Sequence, residues 1–155
     1  MSDYEFLRES FFSHLTGHDI EHKKYKTFFD TIGKMWINHI LSKRLYKMTN
    51  GSIAKQLDIE IVRYGNTFAI DSIIMDDLRG QKENFLTTLF DHRRDKKICN
   101  KTLKLVSGLY KNMLENMDFS RIHIILDIIS PYNIKVTFDY DEVLGDDIPE
   151  TSYYI

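Results

Sequence analysis

The stretch SHLTGHDIEHKK, residues 13–24, sets His14, His18 and His22 four residues apart. On one unbroken helix that spacing stacks three imidazoles on one face. Such a set can hold zinc and leave one position open for water. The residues between them argue against an unbroken helix. Gly17 suits the residue just past a helix C-terminus, where positive φ costs glycine little, and Asp19 suits the N-cap of a following helix. The spacing therefore predicts two helices meeting at a junction. His14 ends one, His18 lies in the turn, His22 opens the next, and no metal is shared.

Other chemistry-bearing residues meet similar limits. His14 is too close to the His18-Asp19 pair to serve as the distant first ligand of an HD-type metal phosphohydrolase. HLT at 14–16 has no second copy, because His123 is followed by Ile124 and Ile125. Cys99 is the only cysteine, so no intramolecular disulfide or thiolate cage can form. Its basic neighbours in KKICNKT could activate a thiolate, but its place at the start of a helix suggests a small semi-buried residue. Asp58, Glu60, Asp71 and Arg63 fall on a candidate hairpin, where carboxylates could hold a metal for a small nuclease. Asp58 and Glu60 share one strand, however, and no Glu-x-Lys follows; alternating charge on a solvent face accounts for them. The basic run DHRRDKK at 91–97, with Lys101 and Lys104, could touch phosphates. It lacks interleaved aromatics and reads as a solvated loop.

The elements that position these residues follow from periodicity. The 155 residues predict a single domain over 1–155, with 43% hydrophobic and 28% charged residues. Tyr4, Leu7, Phe11 and Leu15 give a helix over 4–16. A second helix is predicted from about 20 to 47, with Tyr25, Phe28, Phe29, Ile32, Trp36, His39, Ile40 and Tyr46 on its apolar face, stopped by TNGS. LDIEIVRY at 57–64 and TFAIDSIIM at 67–75 make a hairpin around Gly65-Asn66, with Phe68, Ile70 and Ile74 buried. Residues 84–91 are a third strand or a short helix, and the two threonines favour the strand. A helix over 99–117 precedes a second hairpin, RIHIILDII at 121–129 and IKVTFDY at 134–140. The expected fold is α+β: an antiparallel sheet of two hairpins, four or five strands in all, with helices on one face, in the order α-α-β-β-(β)-α-β-β.

Net charge is -2, but it is unevenly spread: residues 105–155 hold nine Asp and Glu against three Lys and Arg. An acidic end of this kind favours a basic partner. No apolar run resembles a signal peptide or membrane span, which makes a cytoplasmic location the expectation.

The segment LVSGLYKNMLENMDFSRIHIILDIISPYNIKVTFDYDEVL resembles the C-terminal module of the YezG-like immunity proteins, cytoplasmic antitoxins of bacterial polymorphic toxin systems. That module is a helix, a strand, a short turn, and a strand ending in F-x-Y-acidic, here Phe138, Asp139, Tyr140 and Asp141. Phe119 stands where the family often has Trp, and the long second helix is not typical of it. The resemblance implies a stoichiometric inhibitor with no catalytic residue, no metal and no cofactor. The expected partner is a basic protein toxin, for example a nuclease, with no membrane and no direct nucleic-acid contact. Asp139, Asp141, Glu142, Asp146 and Asp147 are the expected partner-binding residues. The alternatives are a small metal-dependent nuclease, or a phage or viral protein that sequesters a host factor.

Overall fold

A computed structural model describes residues 26–65, 67–112 and 119–139. The helix predicted over 4–16, the three histidines, and residues 140–155 lie outside the described residues.

The predicted alternation becomes a five-stranded antiparallel sheet. Its strands are β1 (Gln56–Tyr64), β2 (Thr67–Asp76), β3 (Lys82–Asn84), β4 (Arg121–Asp127) and β5 (Asn133–Asp139), in the order β3-β2-β1-β4-β5. Both predicted hairpins are present, and β1 joins them by pairing with β4 as well as β2. The helices are α1 (Lys26–Ser42), α2 (Phe85–Thr88) and α3 (His92–Asn112). Among the described residues, no helix is long and apolar enough to cross a membrane.

The three described helices pack on one face of the sheet. The core takes Phe29, Ile32, Trp36, Ile37 and Ile40 from α1, and Cys99, Leu103, Val106 and Leu109 from α3. These repeat at the three- and four-residue spacing of a helical stripe. The sheet answers with alternate residues: Leu57, Ile59 and Ile61; Ile122, Ile124 and Leu126; Ile134, Val136 and Phe138. Phe119 is buried among Phe138, Tyr110 and Phe68, with ring centroids 5.2, 5.4 and 5.9 Å away. Cys99 is fully buried, and burial pushes its thiol up to about 12, so the activated thiolate is excluded in the folded state.

Four details depart from the sequence reading. Ile74 is only half-buried, whereas Ile73 and Met75 are buried. The pairing explains this: Glu60 faces Ser72 but Ile61 faces Ile70, so Asp71 is an extra residue, a β-bulge that resets the alternation. Secondly, only Lys82–Asn84 form the third strand, and Phe85–Thr88 form a helical turn. Asn84 Oδ1 accepts from Leu86 N at 3.1 Å, and the Thr87 and Thr88 hydroxyls donate to Asn84 O at 3.1 and 2.8 Å. Side chains that bond the local backbone compete with a strand ladder. Thirdly, α1 ends at Ser42, not near 47: Arg44 has φ of 55°, and an isolated bridge joins Lys47 to Ile53. Leu45 and Met48 reach the core from this turn.

Finally, the basic run at 91–97 is not a solvated loop. Asp91 Oδ1 accepts from the backbone N–H of Arg93 and Arg94 at 2.8 and 3.1 Å, the bonding of a helix N-cap. Helix α3 therefore starts at His92, well before Cys99. Its first turn places Asp95 against α1. There Asp95 accepts from His39 Nε2 at 2.7 Å, from Arg94 Nε and NH2 both at 2.9 Å, and from the Asp91 N–H at 2.8 Å.

Candidate functional site

The sheet face turned away from the described helices carries a cluster of charged residues. Strand alternation puts Asp58 and Glu60 there from β1, Arg121, His123 and Asp127 from β4, and Lys135 and Asp139 from β5. The bulge turns Asp71 to the same side, beside Tyr64 and Glu60. Asp76 pairs there with Lys82 at 3.8 Å, and Gln56 donates to Asp127 at 3.1 Å. Asp58, Glu60, Asp71, Asp76, Asp127 and Asp139 thus face the permanent cations Lys82, Arg121 and Lys135, leaving the surface acidic. Among the described residues, no helix covers this face.

At its centre, His123 lies opposite Glu60 across the β1–β4 pairing. Its Nδ1 is 3.2 Å from Asp58 Oδ1 and its Nε2 is 3.6 Å from Glu60 Oε2. Arg121 Nε lies 3.2 Å from Glu60 Oε1, close enough for an ion pair although its N–H is not aimed at the oxygen. Burial raises the Glu60 carboxyl, more than His123 and Arg121 lower it; Asp71 and Asp58 add to the rise. Tyr64 is raised by burial and by the Asp71 charge. His123 moves up because the Asp58 carboxylate bonds its imidazolium, with the Asp58 and Glu60 charges adding to that and burial opposing it.

A histidine with a raised folded pKa stabilises the fold most below its unfolded value, and that contribution is lost as pH rises through the folded one. The expected NMR titration therefore places His123 above 6.5, and Asp58→Asn brings it down. A wild-type value at or below 6.5 would mean that the pair with Asp58 does not form in solution.

The structure unites some expected site residues and separates others. Asp58, Glu60 and Asp71 share a surface, but Arg63 leaves it. Its Nε donates to Phe119 O at 3.0 Å, and its guanidinium lies 5.1 Å from the Tyr110 ring centroid. Among the described residues, no three His, Cys, Asp or Glu side chains are grouped to hold a metal. Around Asp58 and Glu60, Arg121 and His123 are set against the carboxylates. Asp139 ends β5, the outermost described strand on its side, and its carbonyl accepts from Ser120 N at 2.8 Å and Ser120 Oγ at 3.1 Å. Asp141, Glu142, Asp146 and Asp147 lie outside the described residues. Arg121, His123 and Asp127 were not singled out from sequence as partners of Asp58 and Glu60. The signal was the odd-numbered half of RIHIILD, readable only once β4 is known to pair with β1.

Compared with protein-family models, with curated proteins and with solved structures, the chain matches none.

Proposed function

We propose that this chain is a stoichiometric binding protein of the immunity type, neutralising a basic protein toxin in the cytoplasm. One observation carries the reading. Asp139, the first residue of the acidic run expected to bind a partner, lies on the same sheet face, turned away from the described helices, as Asp58, Glu60, Asp71 and Asp127. The acidic run of the sequence thus begins, at Asp139, on the acidic face of the fold. A toxin that handles nucleic acid carries a basic phosphate-binding surface, and a partner that blocks it is favoured by complementary carboxylates. The resemblance of the segment from Leu105 to Leu144 to the YezG-like module supports the same reading.

The test is co-expression with the product of the neighbouring gene. The expected outcome is rescue of growth and a purified complex of fixed stoichiometry. In surface-immobilised kinetics, Asp146→Ala with Asp147→Ala should slow association, because exposed charges steer encounter and are screened beyond about 8 Å at physiological salt. Asp139→Ala, held by a strand, should instead speed dissociation, by about 2 kcal/mol where it is desolvated against the partner. A neighbouring product that is harmless, or toxicity that persists on co-expression, would count against the reading. Magnesium-dependent cleavage of DNA or RNA by the pure protein, lost in Asp58→Ala, would replace it with the nuclease alternative.

A further inference from the structure

On the helical side of the molecule, α1 and the start of α3 bound a groove of about 470 Å³. One wall presents Arg94, Lys97 and Lys101, whose i, i+3, i+7 spacing puts them on one face of α3. Lys43 faces them from the end of α1, and Ile98 and Met35 supply apolar lining. Lys43, Lys97 and Lys101 are exposed, and none is ion-paired with another described residue. Among the described residues, no carboxylate lines the groove; behind it Asp95 is fully buried and accepts from Arg94 and His39. It cannot neutralise the lysines, but it fixes the Arg94 guanidinium, which also donates to Leu89 O at 3.0 Å.

Like charges gathered around a concavity repel one another and focus a positive potential into it. A bound anion relieves both effects. Lys97 and Lys101 are one helical turn apart, with Cβ atoms separated by about 5–6 Å, which suits neighbouring phosphate groups better than a single one. The volume falls within the roughly 300–1,000 Å³ of small-ligand sites. Four cations on one short groove make too small a footprint for a nucleic-acid tract, which needs a longer basic stripe or stacking aromatics. We propose that this groove binds a small ligand bearing linked phosphates, of the size of pyrophosphate or a nucleoside di- or triphosphate. The site lies on other elements than the acidic sheet face and does not depend on the immunity reading.

Calorimetric titration of the full chain with sodium pyrophosphate tests it, with inorganic phosphate and a single-stranded oligonucleotide as comparisons. Pyrophosphate should bind at one site and more tightly than phosphate. Lys97→Ala with Lys101→Ala should weaken it about tenfold or more, a loss of about 1.4 kcal/mol or more, since two charge-assisted contacts are removed. Lys43→Ala, on the other wall, should weaken it several-fold. Lys104→Ala with Lys111→Ala removes the same charge from exposed positions of α3 outside the groove and should change binding less than twofold. Equal weakening by the two double variants, or no heat at millimolar pyrophosphate, would overturn the proposal. So would oligonucleotide binding that pyrophosphate does not displace. Thermal melts of each variant, expected to match the wild type, show that the fold is retained.

Discussion

Asp95→Ala should destabilise the protein by about 3–5 kcal/mol, the range for breaking a buried ion pair by removing one partner. Asp95 is fully buried where α3 begins, and its carboxylate accepts from His39 Nε2 on α1 and from Arg94 and the Asp91 N–H at its own end of α3. Alanine removes the acceptor of His39 Nε2 and leaves the Arg94 guanidinium bonded to Leu89 O but without its carboxylate. Against a typical total of roughly 5–15 kcal/mol, that loss is large. The pH dependence gives a second check. Burial alone would push the Asp95 carboxyl up, but the bonds from His39, Arg94 and the Asp91 N–H hold it at about 2, below the ordinary 3.8. A depressed folded pKa means that the stabilisation is present above the unfolded value and is lost as pH falls through the folded one. Urea unfolding of the wild type should therefore show stability falling between about pH 4 and pH 2 by more than in Asp95→Ala. A variant within about 0.5 kcal/mol of wild type at neutral pH, the range of an ordinary surface change, would show that the helices are joined by apolar packing alone.

Trp36→Ala should cost about 3–5 kcal/mol through the cavity it opens. Trp36 is fully buried in α1, and its Nε1 donates to Thr102 Oγ1 at 2.9 Å on α3. In a chain of this size that loss lowers the melting temperature by on the order of 10 °C. Trp36→Phe separates packing from hydrogen bonding. Thr102 keeps a partner in that variant, because its hydroxyl also donates to Ile98 O at 2.8 Å. The phenylalanine change should therefore cost well under the alanine change, the lost bond accounting for about 1 kcal/mol. Equal losses would place the importance of Trp36 in the bond and not in its volume.

How far the sequence led depended on whether a residue's role was local. The strand periods of LDIEIVRY and IKVTFDY and the helical stripe through Trp36 were legible because alternation and the 3.6-residue repeat follow from backbone geometry. Helix α2 was misread because β-branching favours a strand for Thr87 and Thr88, while their hydroxyls, with the Asn84 cap, favour a turn; only the cap decides between them. The start of α3 was hidden in a charged run that looks like loop, although Asp91 was an available N-cap. The acidic sheet face was legible only in pieces. Asp58 and Glu60 are distant in sequence from Asp127 and Asp139, and nothing local states that β1 pairs with β4. The α1–α3 groove likewise needs Lys43 to meet Lys97 across a helix packing that no single window of sequence records.

The bulge at Asp71 also governs how this chain can change over generations. Loss of that one codon would restore strict two-residue parity to β2. Phe68, Ile70, Ile73 and Met75 would then alternate on one side, because removing Asp71 shortens the step from Ile70 to Ile73 from three residues to two. A deletion at this one position is therefore a small step that leaves the other residues of β2 on their present faces. An insertion within the regular part of either half is not, because it turns over the residues beyond it and carries Phe68 or Met75 to the charged side of the sheet. Descendants that keep the fold should therefore vary at Asp71 in presence as well as identity, while the spacings from Phe68 to Ile70 and from Ile73 to Met75 stay at two residues.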